Sequence, residues 1–319
     1  MATLDRRWLL KATAATFALG AIRGVSAEPD GPKPKRKFTM ALSCGAIGVG
    51  ARPREAIELA FRFGFEAVEP SSDFLGGLSD DELGQLLADL KAKKLVWASA
   101  GLPVDFRGEE ARFTGGIKAL VPFSKTLQRA GVTRLGTWLA PSHRALTYVA
   151  NFRQHARRLR EVAKVLGQYG LRLGLEYVGP KTAWASGRFP FIHTMAEMKD
   201  LLAEIGHDNV GFMLDSWHWY TAHETEADIL SLRGTDVVCC HLNDAPKGIP
   251  VDQQVDNRRD LPAATGVIDV KTFLGALVKI GYDGPIMAEP FRPDLGRLPR
   301  DEAVAAVAAA MKKAFALVE

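Results

Sequence analysis

From residue 38 onward the chain alternates two hydrophobic patterns. Short apolar or β-branched runs, such as Leu171-Arg172-Leu173-Gly174-Leu175 and Val237-Val238-Cys239-Cys240, each lead into a loop holding Gly, Pro, Ser or Asp. A longer segment then follows in which apolar positions recur at helical spacing. The runs predict eight strands, near residues 38–48, 65–70, 95–103, 132–141, 171–180, 209–220, 237–245 and 285–291. Between them the spacing predicts helices over 52–63, 80–94, 117–130, 146–169, 195–205, 225–233 and 270–280, with a last one from Asp301. Gly131, Gly170, Gly206 and Gly281 each follow a predicted helix end, where a left-handed cap costs glycine least. Eight strand–helix units without a linker predict an α/β fold, a single (β/α)8 barrel over residues 38–319, ahead of an open doubly wound sheet. The strand-to-helix turns carry no phosphate-cradling glycine motif, which argues against a nucleotide cofactor.

Residues 1–27 follow a different pattern. A charged start, an apolar stretch over residues 12–22 and the small residues Val25-Ser26-Ala27 have the anatomy of an export signal, and the stretch is too short to span a bilayer as a helix. The segment Leu4-Asp5-Arg6-Arg7-Trp8-Leu9-Leu10-Lys11 resembles a twin-arginine signal, which implies passage of the folded protein through the twin-arginine export machinery to the periplasm. Residues 28–37, with Pro-broken Lys and Arg, read as a solvated linker.

Charge and cysteines narrow the function classes. The formal charge is +4, but Arg6, Arg7, Lys11 and Arg23 against Asp5 put most of it in the signal segment. The remainder is nearly neutral, so no field remains to attract a nucleic-acid backbone. Cys44, Cys239 and Cys240 are too few and wrongly spaced for a disulfide framework, a zinc finger or an iron–sulfur site.

In a barrel, chemistry collects at the C-terminal ends of the strands. Four successive predicted strands end in an acid or a histidine: Glu176, Asp215, His241 and Glu289. Each alone also fits a turn cap or a packed core residue. Together, three carboxylates and an imidazole at one barrel mouth repel and lose hydration unless a cation neutralises them. That predicts one divalent metal ion, with the oxygen-rich set favouring Mn2+, Mg2+ or Co2+ and leaving Zn2+ open.

Glu176, the run Asp215-Ser216-Trp217-His218, the run His241-Leu242-Asn243-Asp244, and Glu289 before its phenylalanine resemble the metal-site motifs of the sugar phosphate isomerase/epimerase family, the xylose-isomerase-like TIM barrels. Asn209-Val210-Gly211 and Gly281-Tyr282-Asp283-Gly284-Pro285, which lead into two of these strands, support the resemblance over residues 38–295. One stretch departs from it: relatives often carry Pro-Gly-Glu-Gly where this chain has Leu261-Pro262-Ala263-Ala264-Thr265-Gly266. The endonuclease branch of the family needs further metal-binding histidines, and this chain has none before His143.

The resemblance implies a metal-dependent isomerase or epimerase acting on a free sugar, keto-sugar or cyclitol. Glu176 and Glu289 would be its acid–base pair, moving a proton next to a carbonyl through an enediolate. Dehydration or lyase chemistry on a keto-sugar or keto-glycoside shares that step, and a non-catalytic sugar-binding barrel is the alternative of another class. His218 is expected to bind or polarise a substrate oxygen, Lys247 to present a basic group to the substrate, and Trp217, with Trp138, Trp184 and Trp219, to wall the pocket. Asn243 and Asp244 read either as orienters of the ligands or as turn formers. Glu69 and His143, at other strand ends, read as cap or loop residues. Family members are often dimers or tetramers, so homo-oligomerisation is a further expectation.

Overall fold

The apolar runs do become strands, but short ones, because each run continues into a buried loop at the strand's C-terminal end. In the computed structural model, which describes residues 35–319, the chain runs β1 (Thr39–Leu42), α1 (Pro53–Phe63), β2 (Ala67–Val68), α2 (Ser72–Gly76), α3 (Asp80–Ala92), β3 (Val96–Trp97), β4 (Ala100–Gly101), α4 (Glu110–Arg129) and β5 (Arg134–Trp138). It continues with β6 (Ser142–His143), α5 (Tyr148–Gly167), β7 (Arg172–Glu176), α6 (Lys181–Trp184), β8 (Phe189–Pro190), α7 (Met195–Ile205) and β9 (Val210–Asp215). The last elements are α8 (Ser216–Thr221), α9 (Glu226–Leu230), β10 (Val237–Leu242), α10 (Val270–Ile280), β11 (Pro285–Ala288) and α11 (Arg300–Phe315). The expected export signal and most of the expected linker lie outside the described residues.

The main sheet is parallel throughout, in the order β3-β2-β1-β11-β10-β9-β7-β5-β4. Its two edge strands are consecutive pieces of one segment. Within that segment the Ala98 N–H donates to the Val68 carbonyl, and the Leu102 N–H donates to the Gly136 carbonyl. One run therefore pairs with β2 through its first half and with β5 through its second, which closes a TIM barrel. β6 and β8 form a separate antiparallel pair in the loops.

Two departures from the predicted elements have local causes. Helix α4 starts at Glu110, ahead of the predicted 117, so that it takes in Gly115 and Gly116; like the predicted helix it runs through Pro122. At Gly116 an added Cβ would stand 3.1 Å from Val104 Cγ1, so glycine there permits a close approach. Glu110 is fixed by Arg157 and Arg158 of α5, each at 2.8 Å. The run 209–220 splits into a strand and a helix at Asp215, whose Oδ1 accepts the Trp217 N–H at 2.8 Å and caps α8.

The large apolar side chains pack between sheet and helices, whereas Ala41, Ala67, Ala98 and Met287 form a separate buried cluster. Gly136 and Gly174 belong to the strands beside it, and a Cβ on Gly136 would stand 2.6 Å from Met213 Sδ. Gly136 thus makes room for the Met213 side chain. Both residues line a cavity of ≈ 400 Å³ at the barrel mouth, and His241 and Glu289 are in its wall.

Candidate metal centre

Parallel register brings the strand-end residues to one level. His241 of β10 pairs with Asp215 of β9 on one side and Met287 of β11 on the other, while Glu176 ends β7 and Glu289 directly follows β11. Ligand atoms of Glu176, Asp215, His241 and Glu289 all lie within 4.8 Å of one another. His241 Nδ1 is 3.3 Å from Glu176 Oε1, 3.3 Å from Glu289 Oε2 and 4.0 Å from Asp215 Oδ2. Despite that proximity, Glu176 Oε1 and His241 Nδ1 are buried without a hydrogen-bond partner. Orphaned buried polar atoms are costly, and a cation between them removes the cost, so the donor set fits a divalent metal ion.

The surroundings hold these ligands in place. Asn243 Nδ2 donates to Asp215 Oδ1 at 3.0 Å, and its Oδ1 accepts the Glu289 N–H at 3.0 Å, which makes it an orienter of two candidate ligands. Asp244 instead accepts the N–H groups of Ala245, Thr265, Gly266 and Ile268, and so shapes the loop that departs from the relatives' Pro-Gly-Glu-Gly.

Arg259, which no sequence pattern singled out, completes the cluster. It is 4% exposed, and its Nη1 donates to Asp215 Oδ2 at 2.8 Å and to Glu289 Oε2 at 3.0 Å. Its Nη2 donates to Asp256 Oδ1 at 2.9 Å. The guanidinium lies 4.6 Å from the Phe291 ring and 5.5 Å from the Trp217 ring. It comes from a loop without regular structure, where hydrophobic periodicity gives no signal. Trp217 is thus fully buried behind the ligands, not in the cavity wall.

The field of this cluster separates its titrating groups. Burial raises the Glu176 carboxyl to about 7, although the His241 imidazole opposes it. Burial acts in the same direction on Glu289, but the charges of His241 and the Arg259 guanidinium outweigh it and hold that carboxyl down at about 2. His241 loses hydration yet is raised well above the ordinary histidine value by Glu289 and Glu176. His218 is pushed down to about 3, mainly by burial. Its Nδ1 accepts the Gly179 N–H at 3.2 Å, and its Nε2 stands 3.8 Å from Glu176 Oε2 and 3.4 Å from Arg259 Nη2.

The other expected substrate contacts divide. Lys247 is exposed on the loop after β10 and is not in the cavity wall. Trp138 is in the wall and half exposed. Trp219 instead donates its indole N–H to the Thr225 carbonyl, and Trp184 stacks on His193 at 4.6 Å. His143 accepts the Ala145 and Leu146 N–H groups as a turn residue, but Glu69 faces the cavity.

Comparisons with known proteins agree with this geometry. The inosose isomerase of Bacillus velezensis is 27% identical over 146 residues, which cover 46% of this chain and 49% of that relative. The chain thus matches about half the length of that curated protein. The D-psicose 3-epimerase of Ruminiclostridium cellulolyticum is 22% identical over 248 residues, covering 74% of this chain and 77% of the relative. A solved structure of a xylose isomerase domain protein from Alicyclobacillus acidocaldarius superposes with a TM-score of 0.76 at 30% identity, over 88% of this chain and 99% of that one. With the family model for the xylose isomerase-like TIM barrel matching residues 57–314, the chain belongs to that family.

Proposed function

We propose that the protein is a divalent-metal-dependent isomerase or epimerase that moves a proton next to the carbonyl of a small, free hydroxy-carbonyl compound. The observation that carries this reading is the pair Glu176 Oε1 and His241 Nδ1, 3.3 Å apart, buried and without hydrogen-bond partners. Glu176, Asp215, His241 and Glu289 would hold a divalent cation, which would supply positive charge beside the substrate's carbonyl oxygen.

The chain's own groups then handle the proton. Glu289, kept ionised by the Arg259 guanidinium, is the base that takes the proton from the carbon next to the carbonyl. Glu176, whose carboxyl is raised toward neutrality by burial, is the acid that returns one. Return to the same carbon from the opposite side is epimerisation, and return to the neighbouring carbon is aldose–ketose isomerisation. His218 stays neutral beside Glu176 and offers a hydrogen bond without adding charge. The relatives named above, an inosose isomerase and a D-psicose 3-epimerase, support this class of chemistry.

The test is proton exchange. Mn2+-loaded protein incubated in deuterated water with free ketoses, keto-sugars and inososes is expected to incorporate deuterium next to the carbonyl, and a chelator to stop it. Exchange that survives complete metal removal would overturn the reading. The export signal expected at residues 1–27 assigns the activity to the periplasm. Replacing Arg6 and Arg7 by Lys is expected to leave the protein in the cytoplasmic fraction.

A further inference from the structure

The ring of strands divides the cavity into two unlike halves. Glu176, Asp215, His241 and Glu289 come from the contiguous strands β7, β9, β10 and β11. The opposite half is walled by Ser43 after β1, Glu69 after β2, Ser99 between β3 and β4, and Thr137 of β5. A substrate whose reacting carbons lie at the first half must turn its remaining groups toward the second.

That second half is polar, and its charge is negative. Glu69 lines it, and neither lysine nor arginine does. The Ser43 hydroxyl donates to Glu69 Oε2 and accepts the Ala46 N–H at 3.1 Å, so the carboxylate is aimed by a fixed partner. Among the described residues no hydrogen bond engages Glu69 Oε1. The nearby cation Arg107 is not part of the wall: its guanidinium packs against the rings of Phe106 and Trp138, at 4.2 and 4.4 Å, and donates to Thr137 Oγ1 at 2.9 Å.

A free carboxylate oxygen accepts a hydroxyl well and repels an anion where no cation lines the same wall. We propose that Glu69, oriented by Ser43, is the specificity-determining acceptor for substrate hydroxyls remote from the reacting carbons, and that the cavity selects uncharged polyhydroxylated carbonyl compounds over phosphorylated ones. The inference rests on the proposed isomerase or epimerase reading for which end of the substrate reacts, but its test reads binding.

The test is a calorimetric titration of the full chain loaded with Mn2+. The probes are D-fructose, D-tagatose and 2-keto-myo-inositol as neutral ligands, D-fructose 6-phosphate as the charged one, and dihydroxyacetone as one lacking remote hydroxyls. The wild type should bind at least one neutral six-carbon probe about tenfold or more tightly than the phosphate. Glu69→Gln should weaken that probe about tenfold while changing dihydroxyacetone less than about twofold, and should narrow the discrimination against the phosphate. Ser43→Ala, which frees the carboxylate without removing it, should give a smaller loss in the same direction. An equal or better affinity for the phosphate, no binding of any neutral probe, or unchanged neutral affinity in a folded Glu69→Gln protein would each overturn the proposal. Deuterium exchange in the wild type separates the two readings. Selective binding without exchange removes the enediolate chemistry and leaves Glu69 in its role, and exchange without selectivity does the reverse.

Discussion

Arg259 bridges Asp215 and Glu289, with one guanidinium nitrogen, Nη1, donating to Asp215 Oδ2 at 2.8 Å and to Glu289 Oε2 at 3.0 Å. Arg259 is a built-in cation beside a ligand set in which three of four members are acidic, and it fixes the orientation of two candidate ligands before any ion arrives. Removing it leaves two carboxylates in a buried site without their partner. Arg259→Met is expected to destabilise the metal-free protein by about 3–5 kcal/mol in urea unfolding. Saturating Mn2+ should recover more stability in the variant than it adds to the wild type, because the ion then carries more of the neutralisation. Equal gains from metal in the two proteins would contradict this role.

Glu289→Gln keeps the side chain's shape and removes its ability to accept a proton. The variant should fold with an unchanged circular dichroism spectrum and lose about 10²–10⁴ in the rate of deuterium exchange. Exchange at the wild-type rate would take Glu289 out of the chemistry.

His155 offers a pH test away from the metal centre. It is buried, stacked edge-on against Phe106 at 5.5 Å, and its burial pushes the imidazole from 6.5 down to about 4. Between those values the unfolded chain takes up a proton that the folded chain does not. Stability from the neutral ring is therefore complete above pH 6.5 and is lost as the pH falls toward 4. His155→Phe removes this dependence, so moving from about pH 7.5 to about pH 4.5 should shift the stability difference by about 2 kcal/mol in the variant's favour. A difference independent of pH would show that His155 titrates normally.

Ala263 sits at φ +54°, in the left-handed region, within the stretch where the relatives' motif places glycine. The strain of a Cβ in that conformation is about 1 kcal/mol. Ala263→Gly relieves it at the expense of added freedom in the unfolded chain, so a net stabilisation of about 0.5 kcal/mol is expected in chemical denaturation. Destabilisation would mean that the Ala263 methyl contributes packing that outweighs the strain.

The periodic parts of this protein were legible from its sequence. Alternating apolar runs and helical spacing anticipated the eight barrel strands, because each strand buries its residues between helices and barrel interior and so needs an uninterrupted apolar stretch. The same logic located Glu176, Asp215, His241 and Glu289, since an acid at the end of such a stretch is visible against its background. Tertiary structure decided what lacks a period. Arg259 reaches Asp215 and Glu289 across 44 and 30 residues of chain, from a loop whose conformation depends on what it packs against. Glu69 looked like a strand-end cap until barrel closure turned it toward the cavity, and Lys247, placed by motif spacing, lies exposed outside that wall. Helix α4 begins at Glu110 and takes in two glycines, where α5 and Val104 pack against it, an energy that local propensity does not contain.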